Sequence, residues 1–128
     1  GAKRFVPLPV SAPFHSSLMV PAGEKLAGDL AKIVINDPEV KVVANVSADY
    51  VRTASEVREA LIKQVYSPVR WEESIRRLIS DGVNTFIEIG PGKVLSGLIK
   101  KISREVKVYN IEDQASLEKV LALQGEVS

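Results

Sequence analysis

The sequence predicts an α/β fold, a parallel sheet with flanking helices. Three observations predict it. Short apolar runs suited to buried strands alternate with stretches of helical periodicity. The connections are short and marked by glycine and proline. The composition, 45% apolar and 26% charged over 128 residues, suits a soluble chain with a packed core. The length falls in the single-domain range, with no internal repeat and no low-complexity segment, so the economical reading is one domain or most of one.

The elements follow in order. Residues 4–11 are apolar, and Pro7 and Pro9 bar a helix interior, so they predict a strand or edge strand. A helix is expected after His15, capped by Ser16 or Ser17, with Pro21 in its first turn. Leu18, Ala22, Leu26, Leu30 and Ile33 recur at helical spacing, and Asn36-Asp37-Pro38 is the expected stop. Residues 41–46 predict a buried strand. Thr53 and Glu56 form a capping-box pattern, opening a helix with Val57, Ala60, Leu61, Gln64 and Val65 on one face, which Ser67-Pro68 breaks. A further helix spans Trp71 to Ser80, with Ile75, Leu78 and Ile79 inward and Asp81-Gly82 as its end. Thr85–Ile89 predicts a strand, Gly90-Pro91-Gly92 a tight turn, and Val94, Leu95, Leu98, Ile99 and Ile102 an amphipathic helix. Val106–Ile111 and Ala115–Leu123 predict a last strand and a last helix.

Several function classes are disfavoured. A net charge of +1 gives no global basic field for nucleic acid, and three Phe, three Tyr and one Trp make no stacking platform. With no cysteine, a disulfide framework and a thiolate zinc site are excluded, and a reducing cytosol fits. No apolar run approaches the roughly 20 residues of a membrane span, and the start does not lead into a signal-peptide core. The chain begins at Gly1 rather than at methionine, as expected of a processed, tagged or excised chain.

His15 is the sole histidine and stands where a strand gives way to a helix. Imidazole can take and return a proton near neutral pH, as acyl transfer requires of a general base. An ordinary surface or capping histidine is the bland alternative, and it carries more weight for a lone residue. Gly90-Pro91-Gly92-Lys93 fails the spacing of a phosphate-binding loop, so a structural strand–turn–helix corner is preferred. Gln64, near a helix end, reads first as an unremarkable terminal residue, although its backbone carbonyl is an orphan acceptor there. Asn45, in the expected buried strand, needs hydrogen-bond partners and is equally structural or site-adjacent. Glu88 serves a site or a salt bridge. Lys3, Arg4, Lys93, Lys100 and Lys101 read as a solvated charged face unless the fold gathers them. No G-x-S-x-G nucleophile elbow is present, so the chain offers a base without a nucleophile.

Taken together, Leu8–Ser16, Leu18-Met19, Asn45-Val46, Gln64–Trp71 and Phe86–Leu95 resemble the malonyl-CoA:acyl-carrier-protein transacylase family of bacterial type II fatty-acid synthesis, over about residues 1–105. Related acyltransferase domains occur in polyketide synthases and animal fatty-acid synthase. The resemblance implies the carboxyl-terminal part of such an enzyme. Residues 1–11 would be the last strand of an inserted ferredoxin-like small subdomain and the return hinge. Residues 12–128 would be the C-terminal portion of an α/β-hydrolase-like large subdomain.

It further implies a ping-pong transfer of malonyl from malonyl-CoA to the phosphopantetheine thiol of acyl carrier protein, through a malonyl-serine ester. No cofactor or metal is expected. His15 matches the general base, and Gln64 the residue whose backbone carbonyl orients it in place of a triad carboxylate. Such a carbonyl fixes the tautomer but stabilises imidazolium less than an aspartate would. Phe14 matches the malonyl-selective form of the motif. Lys3, Arg4, Lys100 and Lys101 are candidates for meeting an acidic carrier protein, and Asn45 is possible site support. The serine, the oxyanion-hole donors and the malonyl-binding arginine lie upstream in the family and have no counterpart in these residues. The chain alone is therefore expected to be inactive. A cytoplasmic setting is implied. The alternative is a non-catalytic, carrier-protein-binding α/β module or an inactive fragment.

Overall fold

The computed structural model describes residues 12–125, and the chain divides into two compact units between Arg70 and Trp71. The strand expected at 4–11, the small-subdomain assignment of 1–11, and Lys3 and Arg4 lie outside the described residues.

In the first unit a 3₁₀ turn, Ser17–Met19, leads into α1, Val20–Leu30, with Pro21 in its first turn as expected. Ser16 is in the capping position of the 3₁₀ turn but does not cap: its hydroxyl donates to the Pro13 carbonyl at 2.7 Å. α1 also stops earlier than the Asn36-Asp37-Pro38 signal. The Arg58 guanidinium reaches over and satisfies the Leu30 and Ile33 carbonyls, ending the helix from outside, and Ile33 is left 54% exposed. Asp37 has a different task, accepting from the Ala54 N–H at 2.6 Å.

The strand expected at 41–46 is shorter, β1, Val42–Ala44, and it is not part of a parallel sheet. It pairs antiparallel with β2, Asp49–Val51, which the sequence reading missed. The four residues between them close a hairpin in which Ala48 adopts φ 54° and its N–H returns to the Ala44 carbonyl at 2.9 Å. Asn45 therefore sits in the hairpin turn rather than in a buried strand. α2, Ala54–Lys63, opens with the expected box: Thr53 accepts from the Glu56 N–H while the Glu56 carboxylate accepts from the Thr53 N–H. Gln64 is its C-cap, so Gln64 and Val65 end the helix rather than extend its apolar face.

The second unit holds the predicted parallel pairing. α3, Trp71–Ser80, is followed by β3, Thr85–Ile89, then α4, Val94–Ile102, then β4, Lys107–Ile111, then α5, Gln114–Gly125. β3 and β4 run parallel, with Phe86 opposite Val108 and Glu88 opposite Asn110. Strand alternation puts both pairs on one face. Phe86 and Val108 join Ile75, Ile99 and Val106, together with Trp71, Leu78, Ile79 and Ile102, in the core between sheet and helices. The opposite face carries Ile87 and Ile89, 40% and 79% exposed.

At the polar end of the core face, the Glu88 carboxylate accepts from the Leu95 and Ser96 N–H groups at 3.1 and 2.8 Å and from the Asn110 amide at 2.9 Å. The residue at the capping position of α4, Lys93, makes no side-chain cap. Glu88 caps the helix in its place, across the Gly90-Pro91-Gly92 corner. Gly90 and Gly92 take φ 137° and 87°, open to glycine and strained for any residue with a Cβ. The Ser96 hydroxyl accepts from Asn110 at 2.8 Å, which leaves its own proton free for the carboxylate. Ser96, by its hydroxyl and then its N–H, with smaller help from Leu95 and Asn110, holds the Glu88 carboxyl below the usual carboxylate range.

Candidate active site

His15 follows Pro13 and Phe14 in a tight turn before the 3₁₀ segment. The Phe14 N–H returns to the Ala12 carbonyl at 2.8 Å, and the Ser16 hydroxyl ties back to Pro13. Held on both sides, His15 takes φ 59°, the left-handed conformation that residues other than glycine seldom adopt.

The end of α2 explains what holds it there. Main-chain bonds from Gln64, Val65 and Tyr66 go back to Ala60, Ile62 and Lys63, so the carbonyls of Gln64 and Val65 point onward as helix-end acceptors. His15 takes both. Its main-chain N–H donates to the Val65 carbonyl at 3.2 Å, and its ring Nδ1 lies 2.9 Å from the Gln64 carbonyl oxygen.

The second contact has a chemical consequence. A carbonyl can only accept, so the bond requires the proton on Nδ1. The neutral ring then presents an unprotonated Nε2. His15 is exposed, so Nε2 is open to a proton donor. The arrangement can position a base. The described residues bring no nucleophilic hydroxyl to Nε2, and none of their acidic and histidine side chains form a group of three or more fit to hold a metal ion.

The other predicted residues are placed as follows. Phe14 adjoins His15 in the chain and is 56% exposed. Asn45 is engaged through its main chain, its carbonyl accepting from the Arg70 N–H at 3.0 Å. Lys100 and Lys101 both lie in the last turn of α4, in the second unit. They separate there: Lys100, with Arg104 and Lys107, lines an open groove of about 530 Å³ floored by Val106, Val108 and Tyr109, and Lys101 does not. No carboxylate among the described residues pairs with these three cations. Gly90-Pro91-Gly92-Lys93 forms no phosphate cradle, because the N–H groups that open α4 are already taken by Glu88.

Sequence reasoning missed two contributors. Arg104 carried no spacing signal, because it lies beyond the end of α4, after Ser103 has already turned to extended backbone. The Val65 carbonyl carried none either, since a backbone acceptor leaves no trace in residue type.

Comparison with known proteins places the fold among acyl-carrier-protein S-malonyltransferases. The enzyme of that name from Burkholderia pseudomallei 1710b matches with a TM-score of 0.89 at 44% identity, over 95% of this chain and 40% of that chain. A malonyl-transacylase solved in complex with a type II PKS acyl-carrier protein matches with a TM-score of 0.90 at 43% identity, over 95% of this chain and 40% of that one. No family model matches the chain. In sequence, the malonyl CoA-acyl carrier protein transacylase of Bacillus subtilis (strain 168) is 56% identical over 124 residues, which is 97% of this chain and 38% of the relative. The chain is a homologue of the malonyl CoA-acyl carrier protein transacylases, and it spans about two fifths of the length of the relatives it matches.

Proposed function

We propose that this chain carries the general-base portion of a malonyl-CoA:acyl-carrier-protein transacylase, with His15 as the base and the Gln64 carbonyl as the group that orients it. The observation that carries the reading is the 2.9 Å approach of Nδ1 to that carbonyl, made while the ring stays exposed. The nucleophilic serine comes from another segment of the same enzyme. Nε2 takes the serine proton as Oγ attacks the malonyl thioester, and the imidazolium returns it to the departing CoA thiolate. In the second half, Nε2 takes the proton of the carrier's phosphopantetheine thiol. Its sulfur attacks the malonyl-serine ester, and the serine oxygen leaves and is reprotonated.

The finer fold assignment belongs to the same proposal. Residues 12–128 form part of an α/β-hydrolase-like large subdomain, and residues 1–11 close an inserted small subdomain. The exposed Ile87 and Ile89 support this, because parallel strands are normally covered on both faces. Phe14, adjoining the base, crowds an α-substituent on the acyl group and favours malonyl. The groove of Lys100, Arg104 and Lys107 suits an acidic carrier protein, by long-range attraction. A cytoplasmic setting is proposed from the likeness to the malonyl CoA-acyl carrier protein transacylases alone.

The test uses the complete enzyme containing this chain. His15→Gln should lower malonyl transfer by about 10²–10⁴-fold, the usual contribution of a general base. Retained activity would assign His15 to helix capping alone. The 128-residue chain by itself should form no malonyl-serine ester with malonyl-CoA, and stoichiometric ester would refute the division of labour.

A further inference from the structure

We infer that Gly23 is a positioning residue for His15, acting through the ring of Tyr66; this rests on the reading of His15 and Gln64 given above. Glycine is the poorest helix former after proline, so one inside α1 needs a reason. Gly23 is the buried residue of that helix. A Cβ built there would fall 2.8 Å from both Cδ1 and Cε1 of Tyr66, and 3.4 Å from the Ile62 carbonyl oxygen. The first distance is closer than carbon atoms approach, so the ring occupies the space that a side chain at Gly23 would fill. Gly28, on the same helix, has nothing within 4 Å of the equivalent point. The close approach is specific to Gly23.

Its consequence lies in what Tyr66 anchors. Tyr66 follows Gln64 and Val65 directly, and its N–H closes the turn that follows α2, donating to the Lys63 carbonyl at 3.2 Å. The short segment 63–66 thus carries the ring seated on Gly23 and the two carbonyls that hold His15. Any side chain at Gly23 pushes the ring away from α1, and the segment turns with it. Gln64 and Val65 are then misdirected, with the ring of His15 following. Gly23 touches no reacting atom; it acts by fixing where two acceptors point.

The experiment reads the imidazole directly, and the chain has a single histidine. In the 128-residue protein with ¹⁵N-labelled histidine, the neutral ring should show a protonated Nδ1 and an unprotonated Nε2, the tautomer that is minor for a free histidine side chain. Gly23→Ala should shift both nitrogen signals toward the free-histidine pattern. Gly28→Ala, the same chemical change on the same helix, should leave them in place. With Tyr66→Leu already present, Gly23→Ala should cause no further shift. A folded Gly23→Ala protein with wild-type signals would overturn the inference, as would an undiminished shift in the Tyr66→Leu background. Should Gly23→Ala fail to fold, Tyr66→Phe and Tyr66→Leu decide the matter. The first keeps a ring on Gly23 and should preserve the signals; the second should move them, and unmoved signals overturn the inference. A wild-type ring without the Nδ1 proton overturns the His15–Gln64 reading itself, and the inference with it.

Discussion

The backbone of His15 offers a way to separate stability from chemistry at one residue. At φ 59° a residue with a Cβ is strained by about 1–2 kcal/mol, and histidine is among the types that tolerate this region better. The ring repays part of that through its bond to Gln64, worth about 0.5–1.5 kcal/mol net. His15→Ala deletes the bond and leaves an ordinary Cβ in the strained position, so it should destabilise by about 0.5–1.5 kcal/mol, the worth of the lost bond. His15→Gly also deletes the bond but removes the strain, less the extra freedom glycine gives the unfolded chain, about 0.4–1 kcal/mol. The glycine variant should therefore be more stable than the alanine variant by about 0.5–1 kcal/mol, and close to wild type. Urea unfolding of the three proteins, compared by midpoint at unchanged slope, measures the order. In the complete enzyme both variants should lose malonyl transfer alike, whatever their stabilities. An alanine variant as stable as the glycine one would show that the left-handed backbone carries no strain. It would also remove the case that this turn trades stability for the placement of a base.

Three further outcomes are expected. Glu88 has a lowered pKa in the folded chain, so its stabilising contribution is full above its ordinary value near 4.5 and is lost as the pH falls through the folded value. Glu88→Gln should flatten the acid limb of stability against pH below its ordinary value near 4.5, and an unchanged limb would show that the cap on α4 is not an ionic one. Phe14→Ser in the complete enzyme should raise use of methylmalonyl-CoA relative to malonyl-CoA, and an unchanged ratio removes Phe14 from selectivity. Reversing charge at Lys100 and Lys101 should raise the KM for carrier protein more than that for malonyl-CoA. Lys100→Glu should account for most of the effect, since Lys100 shares the groove with Arg104 and Lys107, and equal single effects would place docking elsewhere.

The parts of the fold legible in the sequence are those whose cause is local. β3, its glycine corner and α4 were readable because the apolar period changes from two to about 3.6 across two glycines. The start of α2 was readable because Thr53 and Glu56 cap within three residues of each other. The end of α1 was not, because its cap is Arg58, 28 residues away. Ser16 and Asp37 were misassigned for a related reason: each has the right chemistry for a cap or a breaker, and each spends it on a partner that local spacing does not reveal. β2 escaped notice as three residues with too little alternation to register, so the stretch at 41–46 was read as a lone strand where the chain makes a hairpin. For the candidate site, the sequence made His15 a possible base and the Gln64 carbonyl an orphan acceptor. Only the resemblance joined the two before the structure did. The left-handed turn at His15 left no glycine to announce it.

The carboxylate at the start of α4 has one more implication. Glu88 is in effect a ligand tethered to its own receptor, always present at the high local concentration that covalent linkage confers. A free phosphate group reaching that helix end would have to displace a partner that cannot diffuse away, and would win little by doing so. The Gly-Pro-Gly-Lys stretch thus looks, to a pattern reader, like a place where nucleotides dock, while the molecule has already filled the vacancy from within. A phosphate group would have to find its cations elsewhere on the protein.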